Sequence, residues 1–119
     1  MAKRILIVDD ALFMRSTLRK ILENSGFEIA GEADNGKEAL KMYKATHPDL
    51  VTMDITMPDS DGIEGLKLIR EFDPHARVIM VSSMGQQHLV VKAIEMGALD
   101  FLVKPFSPDR VVQSVEQYA

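Results

Sequence analysis

Two hydrophobic patterns alternate along the chain. Short runs rich in Val, Ile, Leu and Met predict five β-strands, at residues 4–9, 27–33, 49–54, 77–83 and 100–104. All but the second run are continuously apolar, which is typical of strands in a parallel sheet that is covered on both faces. The second run alternates apolar and polar positions, so we expect it at an edge of the sheet.

Between these runs, apolar residues recur at helical spacing and predict five helices. Asn35 is the expected N-cap of the second helix and Ser107 that of the fifth, with Pro108 at the first helical position. Gly26 and Gly97 are expected to end the first and fourth helices. The core-facing stripes are Met14, Leu18, Ile21 and Leu22; Ile63, Leu66 and Ile69; Leu89, Val90, Ala93 and Ile94; and Val111, Val112, Val115 and Tyr118. Strict alternation of strand and helix predicts a doubly wound (βα)5 α/β sandwich with right-handed crossovers.

Length and composition narrow the possible functions. A chain of 119 residues without a linker or repeat predicts one domain over residues 1–119, with no output domain. The net charge of −4 argues against nucleic-acid and anionic-membrane partners, and the absence of cysteine excludes disulfides and thiolate chemistry. Because no signal peptide and no apolar stretch of roughly 20 residues is present, we expect a cytoplasmic location.

Acidic residues follow two of the predicted strands. Asp9 and Asp10 end the first strand and Asp54 ends the third, while Ser82 and Lys104 end the fourth and fifth. In open α/β sheets, ligands bind at the carboxyl ends of the strands, where the winding reverses. Taken singly, each Asp is a common turn or cap residue, and Asp10 is a candidate cap for the first helix. Four strand ends that deliver polar groups to one edge favour a functional site instead.

The charges of this set indicate a metal. Three carboxylates sum to −3, whereas Lys104 and one divalent cation sum to +3. Oxygen ligands with room for water suit Mg²⁺, which is held in proteins through one or two carboxylates and substrate phosphate oxygens. A carboxylate beside two cations is positioned to attack phosphorus, because the cations neutralise charge on the transferring group.

These motifs resemble the receiver domain of two-component response regulators over essentially the whole chain. The resemblance rests on the acid pair, on Asp54 ahead of Met57-Pro58, on the hydroxyl of Ser82 and on Lys104-Pro105. It implies a flavodoxin-like fold with strand order 2-1-3-4-5 and a phosphoryl group accepted on Asp54.

The resemblance also assigns a role to each site residue. Asp9, Asp10, Asp54 and the backbone carbonyl of Thr56 would hold Mg²⁺, with Asp10 a direct ligand. Ser82 and Lys104 would contact the phosphoryl group, and the Lys104–Pro105 bond would be cis.

Three positions depart from the best-known chemotaxis pattern. Phe101 replaces the usual switch tyrosine, so the ring is kept and the hydroxyl is lost. The resemblance implies that Thr56 and Met84 would line the route of attacking water; neither carries a carboxylate or an amide, so the lifetime of the phosphoryl group is not predicted. The segment 84–87, "MGQQ", resembles chemotaxis regulators of archaea and thermophilic bacteria.

The resemblance implies a signalling switch that catalyses only its own phosphorylation and dephosphorylation. A histidine kinase would supply the phosphoryl group, and a motor switch or adaptor protein would bind the face formed by the fourth helix, fifth strand and fifth helix. Val91 and Phe101 would lie near the centre of that face. We expect a monomer, with a phosphatase as a further partner.

Three alternatives remain open from the sequence. The first is a phosphorelay intermediate that passes its phosphoryl group to a histidine phosphotransfer protein. The second is a phosphatase or dehalogenase with an aspartyl intermediate, in which Thr56 would replace the required second Asp. The third is a flavin carrier, whose phosphate Asp9 and Asp10 would repel. The isolated His47, His75 and His88 favour surface or loop roles over metal binding.

Overall fold

The computed structural model describes residues 2–55, 57 and 62–119. Five strands alternate with five helices, which confirms the predicted fold class. The elements are β1 (Arg4–Val8), α1 (Leu12–Asn24), β2 (Glu28–Ala33), α2 (Gly36–Thr46), β3 (Leu50–Asp54), α3 (Gly62–Phe72), β4 (Val78–Ser83), α4 (Gln87–Glu95), β5 (Asp100–Lys104) and α5 (Pro108–Tyr118).

The strands form one parallel sheet in the order β2-β1-β3-β4-β5, as predicted. The order reverses between β1 and β3, which is where ligands bind in open α/β sheets. The alternating run forms β2 and lies at an edge, because one side of this strand carries no neighbouring strand. No helix in the described ranges is long and apolar enough to cross a membrane.

Each face of the sheet packs against its own layer of helices. Leu18 and Leu22 of α1 join Val111 and Val115 of α5 in a core on one face. Residues of α2, α3 and α4 build the core on the opposite face. The central strands β1, β3 and β4 are therefore buried on both sides, which explains their continuously apolar sequences.

The predicted caps of α2 and α5 are present. Asn35 Oδ1 accepts a hydrogen bond from the Glu38 N–H at 2.9 Å, and Ser107 Oγ accepts one from the Arg110 N–H at 3.2 Å. The N-terminus of α1 does not have Asp10 as its cap, which was one interpretation of the sequence. Ala11 occupies the N-cap position and makes no side-chain cap bond, so that interpretation is wrong.

Helix α4 and strand β5 leave more apolar surface open than the hydrophobic pattern alone predicted. Phe101 and Val103 are 38% and 39% exposed, so the expectation of cover on both faces is wrong for β5. Ile94, placed in the core stripe of α4, is 44% exposed and lies beside β5, the edge strand of the sheet, so its placement in the core is wrong. The result is a largely apolar depression of about 540 Å³ between the two elements, here called the α4–β5 groove. Its lining is Ser82, Ser83, Met84, Gln87, Val90, Val91, Ile94, Glu95, Phe101 and Val103.

Candidate functional site

Three aspartates converge at the carboxyl ends of β1 and β3. Each of Asp9, Asp10 and Asp54 offers a carboxylate oxygen, and these oxygens lie within 4.8 Å of one another. The two strands are neighbours in the sheet, with Val8 paired to Met53, so the residues that follow them meet at one edge. Asp9 and Asp54 are 1% and 5% exposed, whereas Asp10 is exposed. The cluster is thus buried on the protein side and open to solvent at Asp10.

Lys104 provides positive charge to this cluster from the end of β5. Its Nζ lies 3.1 Å from Asp9 Oδ2 and 3.6 Å from Asp54 Oδ2. The Lys104–Pro105 peptide bond is cis. One ammonium against three carboxylates leaves a local charge of −2 if all three are ionised.

Every polar atom of Asp9 has a partner. Its N–H donates to the Ala33 carbonyl at 3.0 Å, and its Oδ1 accepts from the Ala11 N–H at 2.9 Å. Its Oδ2 accepts from Lys104, and its backbone carbonyl accepts from Arg15 Nη1 at 2.7 Å. These four contacts fix both the carboxylate and the peptide that leads into Asp10.

Ser82 reaches the same edge from β4. It is 1% exposed and follows Val81, which pairs in register with Asp54 on the adjacent strand. Ser82 also lines the α4–β5 groove, as does Phe101. This serine therefore lies between the acidic cluster and the groove.

The remaining predicted positions are buried, exposed or outside the described residues. Thr56, the expected carbonyl ligand, and Pro58 lie outside the described residues. Met57 is 4% exposed and belongs to the core, whereas Met84 is 80% exposed. Val91, expected on the docking face, is 57% exposed.

Sequence reasoning missed Gly62, the first residue of α3. Its N–H donates to the Ile55 carbonyl at 2.7 Å, and a Cβ at this position would lie 1.9 Å from the Asp54 carbonyl oxygen. Only glycine permits this approach of α3 to the end of β3. The signal available in the sequence was a glycine a few residues after the acid that ends a predicted strand.

Sequence reasoning also missed an ion-pair network behind Asp9. Arg15 Nε lies 2.9 Å from Glu32 Oε1, and Arg19 Nη2 lies 2.6 Å from Glu32 Oε2. Burial by itself raises the pKa of Glu32, but hydrogen bonds from Arg19 and Arg15 outweigh it and hold the pKa below its usual value. The i, i+4 spacing of the two arginines placed them on one helix face, yet nothing in the sequence paired that face with β2.

Comparison with known proteins identifies the family. The family sequence model described as response regulator receiver domain matches residues 5–116. The chain belongs to the response regulator receiver family. The family match confirms the resemblance seen in the motifs, and we therefore prefer it to the phosphatase and flavin-carrier alternatives.

The relatives of this receiver domain include chemotaxis proteins. CheY of Thermotoga maritima is 55% identical over 117 residues, and CheY of Bacillus subtilis is 56% identical over 117 residues; each match covers 98% of both chains. The CheX-CheY-BeF3-Mg²⁺ complex from Borrelia burgdorferi superposes with a TM-score of 0.92 at 44% identity, over 97% of this chain and 87% of that one.

The acidic cluster of this receiver domain fits Mg²⁺. Its converging donors are all carboxylate oxygens, two of them on nearly buried residues, and their charge exceeds that of Lys104 by two. A hard divalent cation with retained waters matches that donor set and charge, and the exposed side at Asp10 gives it access.

Proposed function

We propose that this receiver domain is a phosphorylation-activated switch in chemotaxis, in which Asp54 accepts a phosphoryl group from a histidine kinase in the cytoplasm. The observation that carries the proposal is the Asp54 carboxylate itself: nearly buried, 3.6 Å from the Lys104 ammonium, and grouped with two further acids at the edge where β1 and β3 end. The chemotaxis role is supported by relatives that bear the name CheY and match this chain nearly end to end.

In the proposed reaction, a carboxylate oxygen of Asp54 attacks the phosphorus. The bond from phosphorus to the donor's imidazole nitrogen breaks, and its electron pair leaves with that nitrogen. Asp9, Asp10, Asp54 and the carbonyl of Thr56 would hold Mg²⁺, which when bound neutralises charge on the transferring group. Lys104 contributes its ammonium to the same charge, and the Ser82 hydroxyl donates to a phosphoryl oxygen.

The signal is proposed to leave the site through the α4–β5 groove. Phosphorylation adds about two negative charges and three acceptor oxygens beside Ser82. When Ser82 turns toward the phosphoryl group, the ring of Phe101 rotates into the groove. Because Phe101 has no hydroxyl, ring burial alone holds this inward state.

The face built from α4, β5 and α5 is the proposed partner site. Val91, Ile94, Phe101 and Val103 are exposed there, and contiguous apolar surface on a soluble protein marks interaction sites. A motor switch or adaptor protein is the proposed partner. A phosphatase is a further proposed partner, and the Borrelia burgdorferi complex of CheX with CheY, BeF3 and Mg²⁺ supports the proposal that a second protein binds the activated form.

Mass spectrometry after incubation with acetyl phosphate and Mg²⁺ tests the central claim. We expect one added phosphoryl group, lost in Asp54→Asn and on chelation of the metal. Asp34→Asn is the matched control, since Asp34 is an exposed acid just beyond β2 at the same edge of the sheet and should leave the yield unchanged. An equal yield from Asp54→Asn would refute the assignment.

Capture of partners from native lysate separates the proposed switch from a phosphorelay intermediate. With beryllofluoride as phosphoryl mimic, the switch is expected to retain a component of the motility apparatus. Retention of a histidine phosphotransfer protein instead would favour the relay.

A further inference from the structure

The backbone of Asp9 is held by a side chain that has no place in the proposed chemistry. Arg15 Nη1 donates to the Asp9 carbonyl oxygen at 2.7 Å. That carbonyl belongs to the peptide bond between Asp9 and Asp10. The orientation of this peptide therefore determines the direction in which the chain continues beyond β1 and the position from which the Asp10 side chain extends.

Arg15 is in turn fixed by its own partners. Its Nε is 2.9 Å from Glu32 Oε1, and Glu32 Oε2 accepts from Arg19 Nε and Nη2 at 2.9 and 2.6 Å. The Arg15 and Glu32 side chains are only 16% and 26% exposed. A planar guanidinium with several fixed donors holds two acceptors in one geometry, which a flexible ammonium does not.

We propose that Arg15 is a positioning residue for the metal-binding acids, and that Glu32 and Arg19 orient it. The inference rests on the proposed function, because it assumes that Asp9 and Asp10 bind Mg²⁺. Groups that hold metal ligands in place usually change metal affinity about 10- to 100-fold when removed. Arg15 acts through the backbone of Asp9 and does not touch the metal or the phosphoryl group.

The variant Arg15→Met gives opposite expectations for positioning and for charge. Removal of a positive charge near three carboxylates should, through electrostatics alone, make the site bind a cation more tightly. Loss of positioning should make it bind more weakly. We expect the Kd for Mg²⁺, measured by calorimetric titration of the full chain, to rise about tenfold. The initial rate of phosphorylation by acetyl phosphate should fall at limiting Mg²⁺ and largely recover at saturating Mg²⁺.

Arg110 offers a matched control on the opposite edge of the sheet. Like Arg15, it projects from a helix, pairs with a carboxylate on an edge strand, and donates to a backbone carbonyl: its Nη2 lies 3.1 Å from Asp100 Oδ1 and 3.0 Å from the Phe101 oxygen. Arg110→Met should cost comparable stability while it leaves the Kd for Mg²⁺ unchanged.

A second variant, Arg15→Lys, restores the charge and one hydrogen-bond donor and should recover part of the lost Mg²⁺ affinity. It keeps the inference testable should Arg15→Met fail to fold.

Two results would overturn the inference. In the first, Arg15→Met binds Mg²⁺ as tightly as the wild type or more tightly; in the second, Arg110→Met weakens binding equally. Either result with a wild type that binds Mg²⁺ leaves the proposed function standing. A wild type that shows no Mg²⁺ binding would remove both proposals.

Discussion

The Lys104 ammonium lies close to two carboxylates, and its compact shape suits this arrangement. Its Nζ lies 3.1 Å from Asp9 Oδ2 and 3.6 Å from Asp54 Oδ2, and its side chain is 22% exposed. A compact ammonium on a flexible stem can move from these oxygens to an arriving phosphoryl oxygen, whereas a guanidinium is larger and planar.

We therefore expect Lys104→Arg to slow phosphorylation although it preserves the charge. The rate from acetyl phosphate at saturating Mg²⁺ should fall about tenfold or more, since a group that stabilises transition-state charge typically costs about 10²–10³ in rate when lost outright. Phosphorylation should also raise the affinity of this variant for its partner less than it does in the wild type. Lys67→Arg on the exposed surface of α3 is the control and should behave as the wild type. Wild-type behaviour of Lys104→Arg in both assays would make Lys104 a surface charge without a role.

At the scale of single elements, α5 is tied to β5 through Asp100. This carboxylate accepts hydrogen bonds from Ser114 Oγ at 2.6 Å and from Arg110 Nη2 at 3.1 Å, and Ser114 is fully buried. Burial by itself raises the pKa of Asp100, but the hydrogen bonds from Ser114 and Arg110 outweigh it, so the pKa lies below its ordinary value of 3.8.

The sign of this pKa shift sets a pH dependence for stability. A carboxylate whose folded pKa is lowered stabilises the fold fully above the unfolded value, and this stabilisation is lost as pH falls through the folded pKa. Asp100→Asn should lower the free energy of unfolding by about 1.5 kcal/mol at pH 7, and the difference should shrink below pH 3.8. Urea denaturation at pH 7 and at a pH below 3.8 measures the difference in the free energy of unfolding between Asp100→Asn and the wild type. Glu116→Gln, at an exposed position of α5, is the control. A difference that does not change with pH would contradict the ionic contribution.

Local sequence signals predicted the elements well where the cause is itself local. The caps Asn35 and Ser107 act on backbone N–H groups three residues away, so their sequence pattern suffices. The convergence of Asp9 and Asp54 was predictable because parallel strands end at one edge. The open face of β5 was expected only from the family resemblance, and the contact of Arg15 with Glu32 was not expected at all, because each depends on which element packs against which. Periodicity shows that a face is apolar or charged; it does not show what covers that face.

For the whole molecule, the proposed Mg²⁺ site at the acidic cluster predicts that stability depends on Mg²⁺. A ligand that binds only the folded state stabilises it by RT ln(1 + [L]/Kd), about 2.7 kcal/mol at 100 times the Kd. We expect Mg²⁺ to raise the free energy of unfolding of the wild type by this amount, and of Asp9→Asn by much less. Sodium chloride at equal ionic strength is the control for screening. Equal stabilisation by both salts would indicate that the three carboxylates do not form a specific site.

The contact of Gly62 with Asp54 has a consequence for how the domain tolerates sequence change. Gly26 has a φ of +90°, and a methyl group added there would meet nothing within 4 Å, so a substitution is limited only by backbone preference. At Gly62 the limit is space: a methyl group would lie 1.9 Å from the Asp54 carbonyl oxygen. In a library of variants, position 62 should thus be as restricted as the acid it touches, although it contributes no functional group. Its missing side chain is what lets the start of α3 pack against the backbone of Asp54.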